Sequence, residues 1–129
     1  MIEQKISAAL ATQLNTLGLP TQFENSQFSP VSGITYLKED LLPANNTSIT
    51  LNQSVMHSGI YQVSVYAPKD ANKGSGYSVS QQVLNAFQRG LRLTYQGVTV
   101  TIVSASQTPA FISGDRWVIP ISIFYKAFD

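Results

Sequence analysis

Ile2, Ile6, Leu10, Leu14 and Leu17 recur every three or four residues, with Ala9 beside them. That spacing draws one apolar stripe along an amphipathic helix. Glu3 suits the positive end of its dipole, and Gly18 and Pro20 stop it. Gln13 falls inside the stripe and reads as a flank residue. After Pro20 the period changes: residues 21–24 predict a short strand, and Asn25, Ser29, Pro30, Ser32 and Gly33 predict turns. A second strand is expected over 34–42, closed by Pro43. The stretch 44–58 is polar and weakly patterned, with Ile49, Leu51, Val55 and Met56 as its apolar residues. It is too long for an ordinary hairpin connection and is expected to be mobile in an isolated subunit and ordered against a neighbour.

Residues 60–67 alternate cleanly, with Tyr61, Val63 and Val65 on one face and Gln62 and Ser64 on the other. Pro68 closes this strand, and 69–76 reads as a flexible, glycine-containing loop. A second helix is expected over 77–89, opened by a capping box of Ser78 and Gln81 and followed by Gly90. Val79, Val83, Ala86 and Phe87 form its stripe. Gln96-Gly97 predicts a two-residue hairpin turn between strands 91–95 and 98–103. A loop over 105–115 leads to a last strand whose Trp117, Ile119, Ile121, Ile123 and Tyr125 share one face. Trp117 is expected to be buried against a helix. Pro120 cannot donate to a ladder, which predicts an edge position or a bulge. The order of elements implies an α+β fold: a mainly antiparallel sheet with two helices packed on one face, forming a single domain over 1–129.

Composition narrows the function classes. The 129 residues contain no cysteine and one histidine, His57. That removes disulfides, thiolate chemistry and the usual zinc ligands. Charged residues are 12% of the chain, about half the customary share of roughly 25%. A surface of neutral polar groups suits subunit contacts, whose cores are depleted in charge. The net charge is +1 and the basic residues are scattered, so there is no footprint for nucleic-acid readout. No apolar run is long enough to span a membrane, and the first residues lack a signal-peptide pattern.

Candidate chemistry is sparse. Gly74-Ser75-Gly76 lacks the third glycine and the tight turn of a dinucleotide loop and reads as a linker. His57 has no legible triad partner and reads as a solvated loop histidine. Glu39 and Asp40 are adjacent, so on a strand they point to opposite faces; they read as solvated charges guarding an exposed strand. The sequons at Asn46 and Asn52 are chance matches in the absence of a secretory signal. The aromatic residues are too dispersed for a base-stacking platform. Nothing here predicts an enzyme, a cofactor or a metal.

In order along the chain stand Leu17-Gly18-Leu19-Pro20, Phe23-Glu24-Asn25 with Phe28 and Pro30, and Tyr36-Leu37 with Leu41-Leu42-Pro43. Gly59-Ile60-Tyr61-Gln62-Val63-Ser64-Val65-Tyr66-Ala67-Pro68 follows, then Phe87, Gly90, Gly97 and Val98, then Arg116-Trp117 with Pro120, Tyr125 and Phe128. In these landmarks the sequence resembles the bacteriophage tail terminator, or tail-completion, proteins; the long loop over 69–76 is its departure from them. The resemblance implies a structural virion protein without enzymatic activity. It implies a ring, usually of six subunits, that caps the tail tube, ends tube growth and presents a surface to the head or neck. Implied partners are further copies of the chain, the tail tube protein and a head or neck connector protein. The implied location is the virion tail, after synthesis in the host cytoplasm. Tyr36, Leu41, Leu42, Ile49, Leu51, Val55 and Met56 are the candidate subunit or tube interface. The competing expectations are a neck or head-completion ring protein and, in another class, a small-ligand-binding domain with a concave apolar pocket.

Overall fold

Alternate side chains of two long strands, Tyr61, Val63 and Val65 on one and Ile119, Ile121 and Ile123 on the other, are fully buried. They meet on one face of a single sheet. The computed structural model describes residues 2–23, 34–43, 47–48, 55–68 and 73–128. In chain order these form α1 (Ile2–Asn15), β1 (Thr21–Gln22), β2 (Tyr36–Pro43), β3 (Thr47–Ser48), β4 (Val55–Pro68), α2 (Lys73–Ala86), β5 (Arg92–Tyr95), β6 (Val98–Gln107), β7 (Phe111–Ser113) and β8 (Arg116–Phe128). The sheet runs β1-β2-β4-β8-β6-β5, with β3 on β4 and β7 on β8. It is mixed: β1 lies parallel to β2, whereas β2 and β8 pair antiparallel to β4.

The first helix follows its apolar spacing. Ile6, Ala9, Leu10 and Leu14 are buried and join Val83 and Phe87 in the cluster that also holds the inward residues of β2, β4, β6 and β8. Gln13, inside that stripe, donates from Nε2 to the carbonyl of Ala86 at 2.8 Å. Ala86 ends α2, where helical carbonyls lack partners, so this side chain ties the two helices together. The β5–β6 hairpin is also as the sequence predicts. Gln96 and Gly97 have φ of 48° and 84°, the two positive values of a type I′ turn.

Several expectations are corrected. Helix α2 starts at Lys73, so Gly74, Ser75 and Gly76 are helical rather than a flexible loop, and Ser78 lies inside the helix rather than at its cap. Within this helix Gly76 makes a close approach: a Cβ there would sit 3.1 Å from Cζ3 of Trp117 and 3.2 Å from Cδ1 of Ile119, tighter than ordinary contact, so glycine lets the helix lie on that strand without those side chains giving way. Gly76→Leu is therefore expected to lose about 1–3 kcal/mol by overpacking, read as a lower denaturant midpoint with an unchanged slope.

Strand β8 is central, between β4 and β6, and Pro120 does not mark an edge. The β6–β8 ladder stops at Gln107↔Ile121, and Thr108 N donates to Pro120 O at 2.9 Å. In an antiparallel strand a residue's N–H and C=O address the same neighbour. The proline's missing donor thus falls just where β6 ends. A bulge does occur, but on β6, where the register shifts between Ile102 and Ser104. Before it Val98, Val100 and Ile102 face the core; after it Ala105 does. Much of the predicted 105–115 loop is the end of β6 and the whole of β7. Within 44–58, residues 55–58 belong to β4, and Thr47 and Ser48 pair with Met56 and Val55. The rest of that stretch, the sequons' Asn46 and Asn52 included, lies outside the described residues.

Candidate assembly interface

The register of β2 and β8 on β4, and of β6 and β7 on β8, sorts the sheet face opposite the core into cross-strand rows. At one end Tyr36, Tyr66, Val118 and Phe111 stand side by side. Next come Lys38, Ser64 and Pro120, then Asp40, Gln62, Ser122 and Ser106. Leu42, Ile60 and Phe124 form the row after that, with the bulged Val103 close by. Two apolar bands are therefore separated by polar ones.

The first band is closed except at Phe111, with Tyr36 and Val118 buried. The Tyr36 and Tyr66 rings stack at 4.9 Å with 11° between planes, and the Arg116 guanidinium lies 5.0 Å from the Tyr36 ring centre. Arg116 also donates from Nη1 to the carbonyl of Ile34. This arginine is buried, and the cation–π contact and the carbonyl bond are among the contacts that accommodate its charge. Burial pushes the Tyr36 phenol above its ordinary pKa; Tyr66 and Asp115 add to this and Arg116 opposes it. A raised phenol pKa stabilises the fold fully below the unfolded value of about 10 and loses that contribution as pH rises through the folded value. Denaturant midpoints are expected to hold to about pH 10 and to fall above it, and Tyr36→Phe should blunt that fall.

The second band is open. Leu42 is 49% exposed, Val103 43% and Phe124 39%. Met56, Ile60, Val103 and Phe124 line an apolar groove of about 420 Å³, with Lys126 at its rim. At the end of the first band, the β7–β8 hairpin carries the two most exposed large apolar side chains among the described residues, Ile112 at 60% and Phe111 at 52%.

The sequence-derived interface residues divide accordingly. Leu42 lies in the open band and Met56 lines the groove. Tyr36 is buried under Arg116 in the other band, and Leu41 points to the core side, opposite Tyr61 in the register. Val55 pairs through its backbone with Ser48; its side chain, Ile49 and Leu51 are outside the described residues. Ile60, Val103, Phe111, Ile112 and Phe124 were missed by sequence reasoning. Ile60 and Phe124 carry a signal: each is apolar between polar outward neighbours, Ser58 and Gln62 beside Ile60, and Ser122 and Lys126 beside Phe124.

Two further expectations are overturned by burial. His57 is not a solvated loop residue but a strand residue on β4, opposite Ala127 and only 7% exposed. Glu39 is 4% exposed on the core face, where Tyr61 donates its hydroxyl to Oε2. Leu41 faces Tyr61 and Glu39 faces Val63, so the carboxylate and phenol are diagonal neighbours across β2 and β4. Glu39→Ala is expected to cost about 1–3 kcal/mol through that lost bond, whereas Asp40→Asn should stay within about ±0.5 kcal/mol. Urea unfolding of both variants checks the contrast.

Among the described residues no group of three or more His, Cys, Asp and Glu could hold a metal ion, and no helix is long and apolar enough to cross a membrane. The mixed sheet thus leaves an apolar band open on the face opposite the core. A family model for the phage tail terminator protein matches residues 5–125, and the chain belongs to that family. Its role is accordingly that of a structural protein of the phage tail, in a family of virion components rather than enzymes. No curated protein matches the sequence. One solved structure, of a protein without a stated function, superposes with a TM-score of 0.80 at 22% identity, over 97% of this chain and 94% of that one. A chain from the virion of a native gene transfer agent particle superposes with a TM-score of 0.63 at 16% identity, over 98% and 95%. Both likenesses concern the fold.

Proposed function

We propose that the chain acts as a single domain over 1–129 that closes into a ring, of six subunits, on the end of the phage tail tube. The ring ends tube growth and offers a surface to a head or neck connector protein. Its partners are further copies of itself, the tail tube protein and that connector, and it resides in the virion tail after synthesis in the host cytoplasm. The family match over 5–125 carries this reading. The likeness to a chain of a gene transfer agent virion supports it. A mainly antiparallel sheet with both helices on one face leaves the other face for neighbours, and a ring needs two different patches on each subunit. Solution mass and negative-stain imaging, alone and with isolated tail tubes, test it. Closed rings and rings seated on tube ends are expected. A monomeric mass at high concentration together with bare tube ends would count against it.

A further inference from the structure

The hairpin and the groove differ in shape in a way that matters. Phe111 pairs with Val118 and Ile112 with Trp117, so the two exposed side chains leave opposite sides of β7. A blade that is apolar on both sides stays half exposed on a flat surface and is better covered in a hollow. Another part of the same fold offers an open apolar depression of about 420 Å³, lined by Met56, Ile60, Val103 and Phe124.

The blade cannot fill the groove of its own subunit. Arg116, at the hairpin turn, and Phe124, in the groove, are both on β8, eight positions apart. At about 3.4 Å per residue that is roughly 27 Å of straight strand. The charges are complementary as well: Asp115 is exposed at the hairpin turn, and the exposed Lys126 stands on the rim of the groove.

We propose that the β7–β8 hairpin of one copy inserts Phe111 and Ile112 into the Phe124 groove of the next copy, with Asp115 against Lys126. Blade and groove are different patches; made in one direction only, from each copy to the next, the contact is heterologous, and repeating it produces a ring or a helix, whereas reciprocal insertion would stop at a pair and at a covalent dimer. This assignment deepens the ring reading above and rests on it.

The chain contains no cysteine, which makes thiol trapping clean. In the full chain, Ile112→Cys and Phe124→Cys combined should give, on mild oxidation or with a short bis-maleimide, a ladder of covalent multimers on a denaturing gel. Either single variant alone should give none. A double variant that stays monomeric on the gel, or Ile112→Cys coupling to itself, overturns the contact. Imaging the same samples separates the two readings: rings without the ladder defeat only this contact, whereas no rings in the unmodified protein defeat the ring reading too. A surface charge exchange guards against a misfolded cysteine variant. Asp115→Lys or Lys126→Asp alone should weaken association about fivefold, and the two together should restore it. Failure of the pair to restore association in folded protein overturns the proposal.

Discussion

Phe87→Ala is expected to lower stability by about 3–5 kcal/mol, the largest effect of any single truncation considered. Phe87 is fully buried just beyond the end of α2, and its ring lies 5.8 Å from that of Tyr61 at 53°. It joins the core cluster to which α1, α2 and four strands contribute. Removing the ring takes apolar area out of the core and leaves a void between elements held by their own backbone bonds, so collapse around it is limited. For a chain of this size the loss corresponds to a melting temperature lower by about 10–20 °C. Phe87→Leu, which keeps most of the volume, should lose less than about 1.5 kcal/mol. A melting temperature for Phe87→Ala within about 2 °C of the parent would show that the helices are not anchored through this ring.

Trp117→Ala should cost about 3 kcal/mol, the lower end of the range for a large aromatic residue, because part of the indole remains in contact with water. Its packing is against α2, as its place on the inward face predicts. The Tyr77 ring meets it edge-on at 5.0 Å and 88°, and the backbone of Gly76 lies against its six-membered ring. Such an aromatic pair contributes about 0.5–1.5 kcal/mol beyond area burial, so a double-mutant cycle with Tyr77→Ala should return a coupling of that size. The cycle with Gly76→Leu should be non-additive in the other direction. Once the indole is gone the leucine has room, and it should cost less in the Trp117→Ala background than in the parent. Strict additivity would mean that Gly76 is glycine for a reason other than this approach.

These two residues also mark the boundary between what local pattern predicts and what it does not. Phe87 and Trp117 fall on the faces that periodicity assigns to them. The start of α2 does not follow local pattern, because Gly74 and Gly76 are weak helix formers, and the close approach of Gly76 to Trp117 is invisible in the sequence around it. Glu39 behaves similarly. Its parity with Leu37 and Leu41 puts it on the inward face, but a carboxylate is tolerated there because β4 brings the Tyr61 hydroxyl to it. His57 reads as a loop residue from the sequence because the polar stretch before it hides the beginning of β4.

The family was legible from landmark residues in order, and the family match confirms it. The candidate interface was only half legible. Leu42 and Met56 stand out in the sequence as apolar residues at the edges of a polar segment, whereas Phe124, Ile60 and Val103 meet them only through the register of β2, β4, β8 and the β6 bulge. The helix stripes, the type I′ turn and the inward residues of the long strands are determined by the sequence alone, since each depends on neighbours within about four positions. The central place of β8 despite Pro120, the burial of Glu39 and His57, and the gathering of scattered apolar residues into one open groove are decided by the tertiary structure. Each depends on which strands lie side by side, and those partners are tens of residues apart in the chain.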